Sequence, residues 1–302
     1  MANSPYNQEY PFGPPTVSGN SITVDLMLKE PTRINTYVSD TALVDYFADR
    51  IFVNGGGVSG GALLYTQATK NDILPVRRAQ EIAPGAEFPE VTFDRPAPLT
   101  AQVKKLGGRY PVTDEARDRN DLSVIQTETT KLGNDVRDQI HQRAIAELEA
   151  SITAIGSAVQ ITGVSWADAT ALSMTTSTPA ARPAADFVKA KKVMKGFGLG
   201  AVPTLWIVNP QEEMNFQTVY GDTWQSVLAT WKVDMVSSDL VAAGTAYALQ
   251  ERGVGQVRFE QELRTVTYRE ESRESTWVQT SVRPVFAVTH PYSVLKVTGL
   301  DA

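Results

Sequence analysis

Between Leu63 and Val112 six prolines interrupt the chain, Pro75, Pro84, Pro89, Pro96, Pro98 and Pro111. Each fixes φ and removes a backbone donor, so neither a helix nor a central sheet strand can run through this stretch. The pattern then reverses. From Thr113 to Ile155 there is no proline, and Leu122, Ile125, Leu132, Val136, Ile140, Leu148, Ile152 and Ile155 recur mostly at three- and four-residue steps. That spacing predicts one amphipathic helix, opened by Thr113 with Asp114, Glu115 and Asp118 near its positive end. About 35 residues at about 1.5 Å each make it roughly 50 Å long, more than a globular helix usually needs. Its polar side carries two i,i+4 pairs, Lys131 with Asp135 and Arg143 with Glu147, and Gly133 within it suggests a close packing contact.

The proline-rich stretch holds two β-compatible pieces, Ile73 to Ile82 and Leu99 to Leu106, joined by a turn-rich tip. It reads as a long two-stranded arm. An isolated hairpin is marginal in water, so such an arm needs another surface to lie against. The first fifteen residues, with Pro5, Pro11, Pro14 and Pro15, read as a second, extended arm. Asp40 to Val53 is expected to be a helix with Leu43, Val44, Phe47 and Ile51 inward, ended by a flexible break at Asn54 to Gly61.

Beyond Gly156 the texture is mixed. A loop over Thr175 to Arg182 leads to a helix from Ala184 to Lys195, with Phe187, Ala190, Val193 and Met194 inward, closed by Gly196 to Gly200. A short apolar strand, Thr204 to Val208, stops at Asn209-Pro210 before a helix over Gln211 to Val219. From Gln256 alternation takes over, with Val257, Phe259, Val266 and Tyr268 expected on one face. A charged turn, Glu270 to Glu274, separates this strand from another over Trp277 to Val288, and Val294 to Val297 forms a last one.

Composition closes off several classes of function. There is no cysteine, so no disulfide, thiolate metal site or cysteine nucleophile. Two histidines, His141 and His290, are too few for an ordinary zinc site, and no metal or cofactor is expected. A net charge of −6 speaks against gripping nucleic acid as the main task. No apolar run reaches the length of a membrane span, and the N-terminus lacks the pattern of a secretory signal. A hydrophobic fraction of 42% is enough for a real core.

Motifs with chemistry are few. Gly57-Val58-Ser59-Gly60-Gly61 matches the nucleophile elbow literally, and Ser59 with His290 would fall in hydrolase order. That elbow needs a strand before it and a helix after it; five glycines in eight residues also make a linker the simpler reading. The same glycines satisfy a dinucleotide fingerprint, without the helix that should receive the pyrophosphate. His141 is expected on the polar side of the long helix or at an interface. Glu260, Glu262, Glu270, Glu271 and Glu274 alternate with Arg258, Arg264, Arg269 and Arg273. With so many arginines this reads as a solvated or intersubunit salt-bridged face rather than paired catalytic acids. The five tryptophans are expected in the core.

The order of parts says more than any motif. A proline-rich arm precedes a hairpin carrying ILPVRRAQEIAPGAEFPEV, which closes on VKKLGGRYPVTDEARD; the very long helix, a mixed region holding PTLWIVNPQEEMNF and a long β-hairpin follow. Across essentially the whole chain this resembles the major capsid proteins of tailed bacteriophages, the α+β Hong Kong-97-type fold. The resemblance implies an N-arm over 1–62 and an extended E-loop over 63–112, lying across a neighbouring subunit. It further implies a P-domain spine helix over 113–156, an A-domain over 157–250, a P-domain β-hairpin over 251–290 and a last strand over 291–302 rejoining the A-domain. The implied function is structural and not enzymatic: hexamers and pentamers of this chain form the icosahedral head around double-stranded DNA. Implied partners are scaffolding, portal and decoration proteins, with DNA touched only weakly and without specificity, in a virion assembled in the host cytoplasm. The alternatives are an encapsulin-like compartment shell and a serine hydrolase using Ser59. Arg77, Arg78, Glu81 and Glu87 on the E-loop, with Arg258, Glu260, Arg269 and Glu271 on the late hairpin, are the expected intersubunit contacts. Two departures from the family stand out. Asn71 to Val103 contains no lysine, which implies a shell without covalent cross-links, and the arm begins close to Met1, which implies a separate scaffolding protein or none.

Overall fold

A computed structural model of the chain describes residues 24–43, 47–70, 75–77, 79–92, 96–120, 122–171 and 178–301. The proline-rich first fifteen residues, residues 175–177 of the loop over Thr175 to Arg182, and Arg78 lie outside the described residues. The chain forms two main sheets joined by one long helix. The first sheet has strand order β1-β9-β10-β4, where β1 is Phe52–Gly57, β4 Leu106–Thr113, β9 Gly255–Glu270 and β10 Ser275–Ala287. Strand β9 runs antiparallel to β10 and parallel to β1, and β4 lies antiparallel on the outer side of β10. Pro111 sits on β4, an edge strand, where a missing N–H costs no ladder bond. One face of this sheet is covered by helices α1 (Val24–Lys29), α2 (Pro31–Leu43) and the first part of the spine helix; Ile34, Val38, Tyr110, Val112, Ile125 and Val278 make its core.

The helix that opens at Thr113 is not continuous. The Thr113 hydroxyl accepts from Ala116 N and starts α4 (Asp114–Asp118), as its cap position requires. The chain then turns through Asn120, whose φ is +52°, and the spine helix α5 runs from Leu122 to Ile155. Asparagine tolerates the left-handed conformation, and here its side chain also accepts from Val24 N at 2.9 Å. Gly133 is buried in the spine, as its position suggested. Of the two expected ion pairs Arg143–Glu147 is present, whereas Lys131 reaches back to Glu128 at 2.9 Å and Asp135 accepts from Gln139. His141 is buried rather than on the polar side, its ring 4.1 Å from that of Phe47.

The second sheet has order β5-β11-β8-β6-β7: β5 is Gln160–Thr162, β6 Leu205–Val208, β7 Asp234–Ser237, β8 Thr245–Leu249 and β11 Val294–Thr298. All four residues of β6 are buried, which explains their uninterrupted apolar run. On one face lie α6 (Trp166–Ala169), α7 (Ala184–Gly196) and α8 (Pro210–Tyr220). Trp166, Phe187, Trp206, Phe216 and Tyr220 interlock there with ring centroids 4.7 to 6.4 Å apart. Asn209 caps α8 through its side chain, followed by Pro210 at the first helical position, where proline's lost donor is no loss. On the opposite face the spine lays Glu149 against the sheet. Its carboxylate accepts from Tyr247 Oη of β8 and from Lys296 Nζ of β11, the latter at 2.5 Å. These bonds hold the Glu149 carboxyl below the usual range, and burial with the adjacent carboxylate raises the Tyr247 phenol. Asp186 on α7 is buried, accepts from Trp166 Nε1 at 2.9 Å and from Val164 N, and burial pushes its carboxyl up.

Three sequence expectations are corrected. The helix expected from Asp40 to Val53 is not continuous: residues 44–46, with Val44, lie outside the described residues, Phe47 is not helical, a single turn, α3 (Ala48–Ile51), follows, and Phe52 to Gly57 is strand β1 rather than a flexible break. Glycine serves a close approach on the partner strand: a Cβ on Gly255, paired with Phe52, would collide with the backbone oxygen of Ala287. Val266 and Tyr268 do not share a face with Val257. Side chains alternate with period two, so the even-numbered pair is exposed while Val257 and Thr265 are buried. The proline-rich arm is only partly a ladder. Strands β2 (Ala62–Tyr65) and β3 (Leu99–Gln102) pair at its base, and further out a single bridge joins Arg77 to Thr92.

Candidate assembly surfaces

The base of the arm is fixed to its own chain. Leu63 packs with Val285 and Ala287 of β10, Ala68 N donates to Thr289 O at 2.8 Å, and Gln67 Nε2 to Val288 O at 3.0 Å. Beyond it the arm leaves the body. None of the described residues between Pro75 and Thr92 is buried, and the tip turns at Ala83–Ala86 with Gly85 at φ +87°. Val76 is 72% exposed and Phe88 84%, the latter between Glu87 and Glu90. Burying a phenylalanine side chain is worth roughly 1.5–3 kcal/mol, and this one collects nothing from its own chain. Arg77, Glu81 and Glu87 are exposed and take part in no intrachain ion pair among the described residues.

The late hairpin presents a different surface. The open face of its sheet carries Arg109, Val266, Tyr268 and Trp277; the Arg109 guanidinium lies 4.3 Å from the Trp277 ring and donates to Tyr268 Oη at 2.7 Å. At the tip Arg269 makes two 2.8 Å hydrogen bonds to the Asp114 carboxylate and one of 2.7 Å to Glu271. The guanidinium holds Asp114 below the usual carboxylate range. Glu260 pairs with Arg283 at 3.1 Å and accepts from Gly61 N, while Arg258 reaches Gln256 at 3.1 Å. Of the residues singled out in the sequence, those on the hairpin thus have partners within the chain, and those described on the arm have none.

Ser59 is exposed on a connection from one strand to another, β1 to β2, not from a strand to a helix. The His290 ring is paired with the Thr289 hydroxyl at 2.9 Å. The geometry a nucleophile elbow requires is therefore not built around Ser59.

A family model described as phage capsid protein matches residues 97–297, which takes in β3, β4, the spine, the late hairpin and nearly all of the second sheet, while β1 and β2 lie before it. The chain belongs to the phage capsid protein family. Solved structures agree in fold. The virus-like particle of Pyrococcus furiosus superposes with a TM-score of 0.61 at 11% identity, over 88% of this chain and 98% of that one. The protein of Mycobacterium phage Bobi gives 0.60 at 12% identity, over 83% and 89%, and the capsid of cyanophage P-SCSP1u 0.57 at 12%, over 83% and 88%. No curated protein sequence matches the chain. At these identities the likeness rests on architecture: the α+β Hong Kong-97-type fold is that of a phage capsid protein, a structural component of the virion shell rather than an enzyme.

Proposed function

We propose that this capsid protein assembles through hexamers and pentamers into the icosahedral head that encloses the double-stranded DNA of a tailed phage. The observation that carries this reading is the arm between Pro75 and Thr92, in which no described residue is buried and Phe88 near the tip is exposed. In the lattice, residues 1–62 act as the N-arm and 63–112 as the E-loop across a neighbouring subunit. Residues 113–156 and 251–290 form the P-domain; 157–250 form the A-domain, rejoined by 291–302. Arg77, Glu81 and Glu87, uncommitted within the chain, pair with charges of the neighbour, Arg258, Glu260, Arg269 and Glu271 of the late hairpin among them. Exposed ion pairs give only ~0–1 kcal/mol each, so the shell's stability comes from many weak contacts made together. Scaffolding, portal and decoration proteins are the further partners, and assembly takes place in the host cytoplasm.

The test is negative-stain imaging and light scattering of the purified chain, with nucleic acid extracted from any particles. Closed shells that carry phage DNA when made during infection support the reading; a chain that stays monomeric with scaffold supplied contradicts it. A second reading, an encapsulin-like compartment shell, is favoured by the likeness to the Pyrococcus furiosus virus-like particle. Particles that enclose a protein cargo and no DNA would decide for it.

A further inference from the structure

The net charge of −6 conceals a concentration of the opposite sign. Four of the eleven lysines, Lys189, Lys191, Lys192 and Lys195, fall within seven residues of α7. That helix turns Phe187, Ala190 and Met194 into the core, so the lysines occupy its outward half. Lys189, Lys192 and Lys195 follow one another at three-residue steps and are exposed; Lys191 beside them is half-buried. The one acid of the helix, Asp186, is 1% exposed, faces inward and is bonded to Trp166 and Val164. Lys189 donates to Thr162 O, and Lys191, Lys192 and Lys195 have no carboxylate partner among the described residues.

Lys131 and Lys296 are paired with carboxylates, whereas α7 gathers four lysines within two turns. The three without such a partner, with Lys189 beside them, repel each other by an amount that a polyanion would reverse. From Lys189 to Lys195 the row extends about 9 Å along the helix axis. A DNA duplex presents a charge about every 1.7 Å of its axis, so several phosphates face such a row at once. Lysine suits this use: it is a hydrated point charge on a flexible stem, able to meet phosphates without fixing register or reading bases. An acidic protein segment would be held better by arginine forks, and α7 contains no arginine.

We infer that the outward face of α7 is a sequence-independent contact for the phosphate backbone of nucleic acid. The inference rests on the shell reading, since that supplies an enclosed DNA, and it assigns the contact to a surface. It also reconciles an acidic chain with DNA at its wall. Repulsion over most of the surface leaves the DNA free to move, while one patch per copy offsets part of its charge.

The test measures binding of a random-sequence DNA duplex to the full chain across a salt series. Lys191→Gln, Lys192→Gln and Lys195→Gln are combined in one variant, and Lys104→Gln with Lys105→Gln in a control. Wild type and control are expected to bind with the same dependence of log affinity on log salt, and the triple variant to lose about 2–3 from that slope. An unchanged slope in the triple variant, an equal loss in the control, or no salt-dependent binding by wild type would overturn the inference. So would displacement of the DNA by polyglutamate as readily as by a second duplex. Light scattering of the same samples separates the two levels: particles whose DNA slope ignores α7 sink this inference alone. A chain that binds DNA through α7 yet forms no particle counts against the shell reading instead.

Discussion

The second sheet and the proline-rich arm are close in the chain's economy of residues yet opposite in how they reach stability. Around β6 every side chain is buried, and two tryptophans, two phenylalanines and a tyrosine fill the space between sheet and helices. From Pro75 to Thr92 no described residue is buried, and among the described residues a single bridge, Arg77 to Thr92, joins the two halves. The first region satisfies itself. The second is long enough to leave the body but too poor in contacts to hold a shape by its own energy, so what fixes it must come from outside. A change in the sheet should therefore be read in folding and a change in the arm in assembly.

The largest effect expected from a single substitution lies in the sheet. Trp206→Ala removes a fully buried indole packed on Trp166 and Phe187 and should cost about 3–5 kcal/mol in denaturant unfolding of the unassembled chain. A cost under 1 kcal/mol would mean that the aromatic cluster is not what holds this region. Glu149→Gln tests the joint between spine and sheet. The Glu149 carboxyl is held below its ordinary range in the fold. Its contribution is thus present above the ordinary glutamate range and lost as pH falls through the folded value. With the side chain part-exposed, the loss at neutral pH should be about 1 kcal/mol, and the variant's stability should fall less between neutral and acid pH than that of wild type. A variant with the wild-type pH profile would remove Glu149 from the account.

Asp114→Asn applies the same reasoning at the hairpin tip. Its carboxyl is also lowered, by the Arg269 bond, so the sign is the same, but the pair is at the surface and about 0.5 kcal/mol is expected. Thermal unfolding at neutral and at acid pH would show the difference shrinking as Asp114 protonates. Smallest on folding, and most telling for the comparison, is Phe88→Ser. The ring touches nothing that its removal would disturb, so unfolding of the single chain should shift by less than about 0.5 kcal/mol while the yield of assembled particles drops. A substantial loss of monomer stability would show that the arm folds back on its own chain.

How much of this was legible in the sequence depended on whether a pattern was local. The spine, α7, the capped start of α8 and the two long strands follow from periodicity, caps and prolines that act within a few residues. Strand β1 was missed because Asn54-Gly55-Gly56-Gly57 has neither strand propensity nor alternation, and pairing with β9 two hundred residues later makes it a strand. The break at Asn120 was missed although Asn120 and Asp121 favour caps and turns, because nothing in the sequence shows what stabilises the turn, a bond to Val24. The arm's exposure could be anticipated from its prolines, but its lack of regular pairing could not. For the assembly surface, sequence alone picked out the charged residues of arm and hairpin alike. Only the structure separated Arg269 and Glu260, committed to Asp114 and Arg283, from Arg77, Glu81 and Glu87 on the arm. The outward direction of the lysine row on α7 follows from the inward face read in the sequence; that Asp186 turns to the core and leaves the row without an acid was not legible.

The central claim, that the arm belongs to the assembly and not to the fold of its own chain, is tested most directly by deleting its tip, Ala83 to Pro89. Wild type and deletion variant would be compared by size-exclusion chromatography with light scattering and by negative-stain imaging, under conditions where wild type forms particles. The account predicts a soluble chain with unchanged unfolding that no longer closes into shells. Intact shells from the deleted chain would contradict it, and so would a deletion variant that fails to fold.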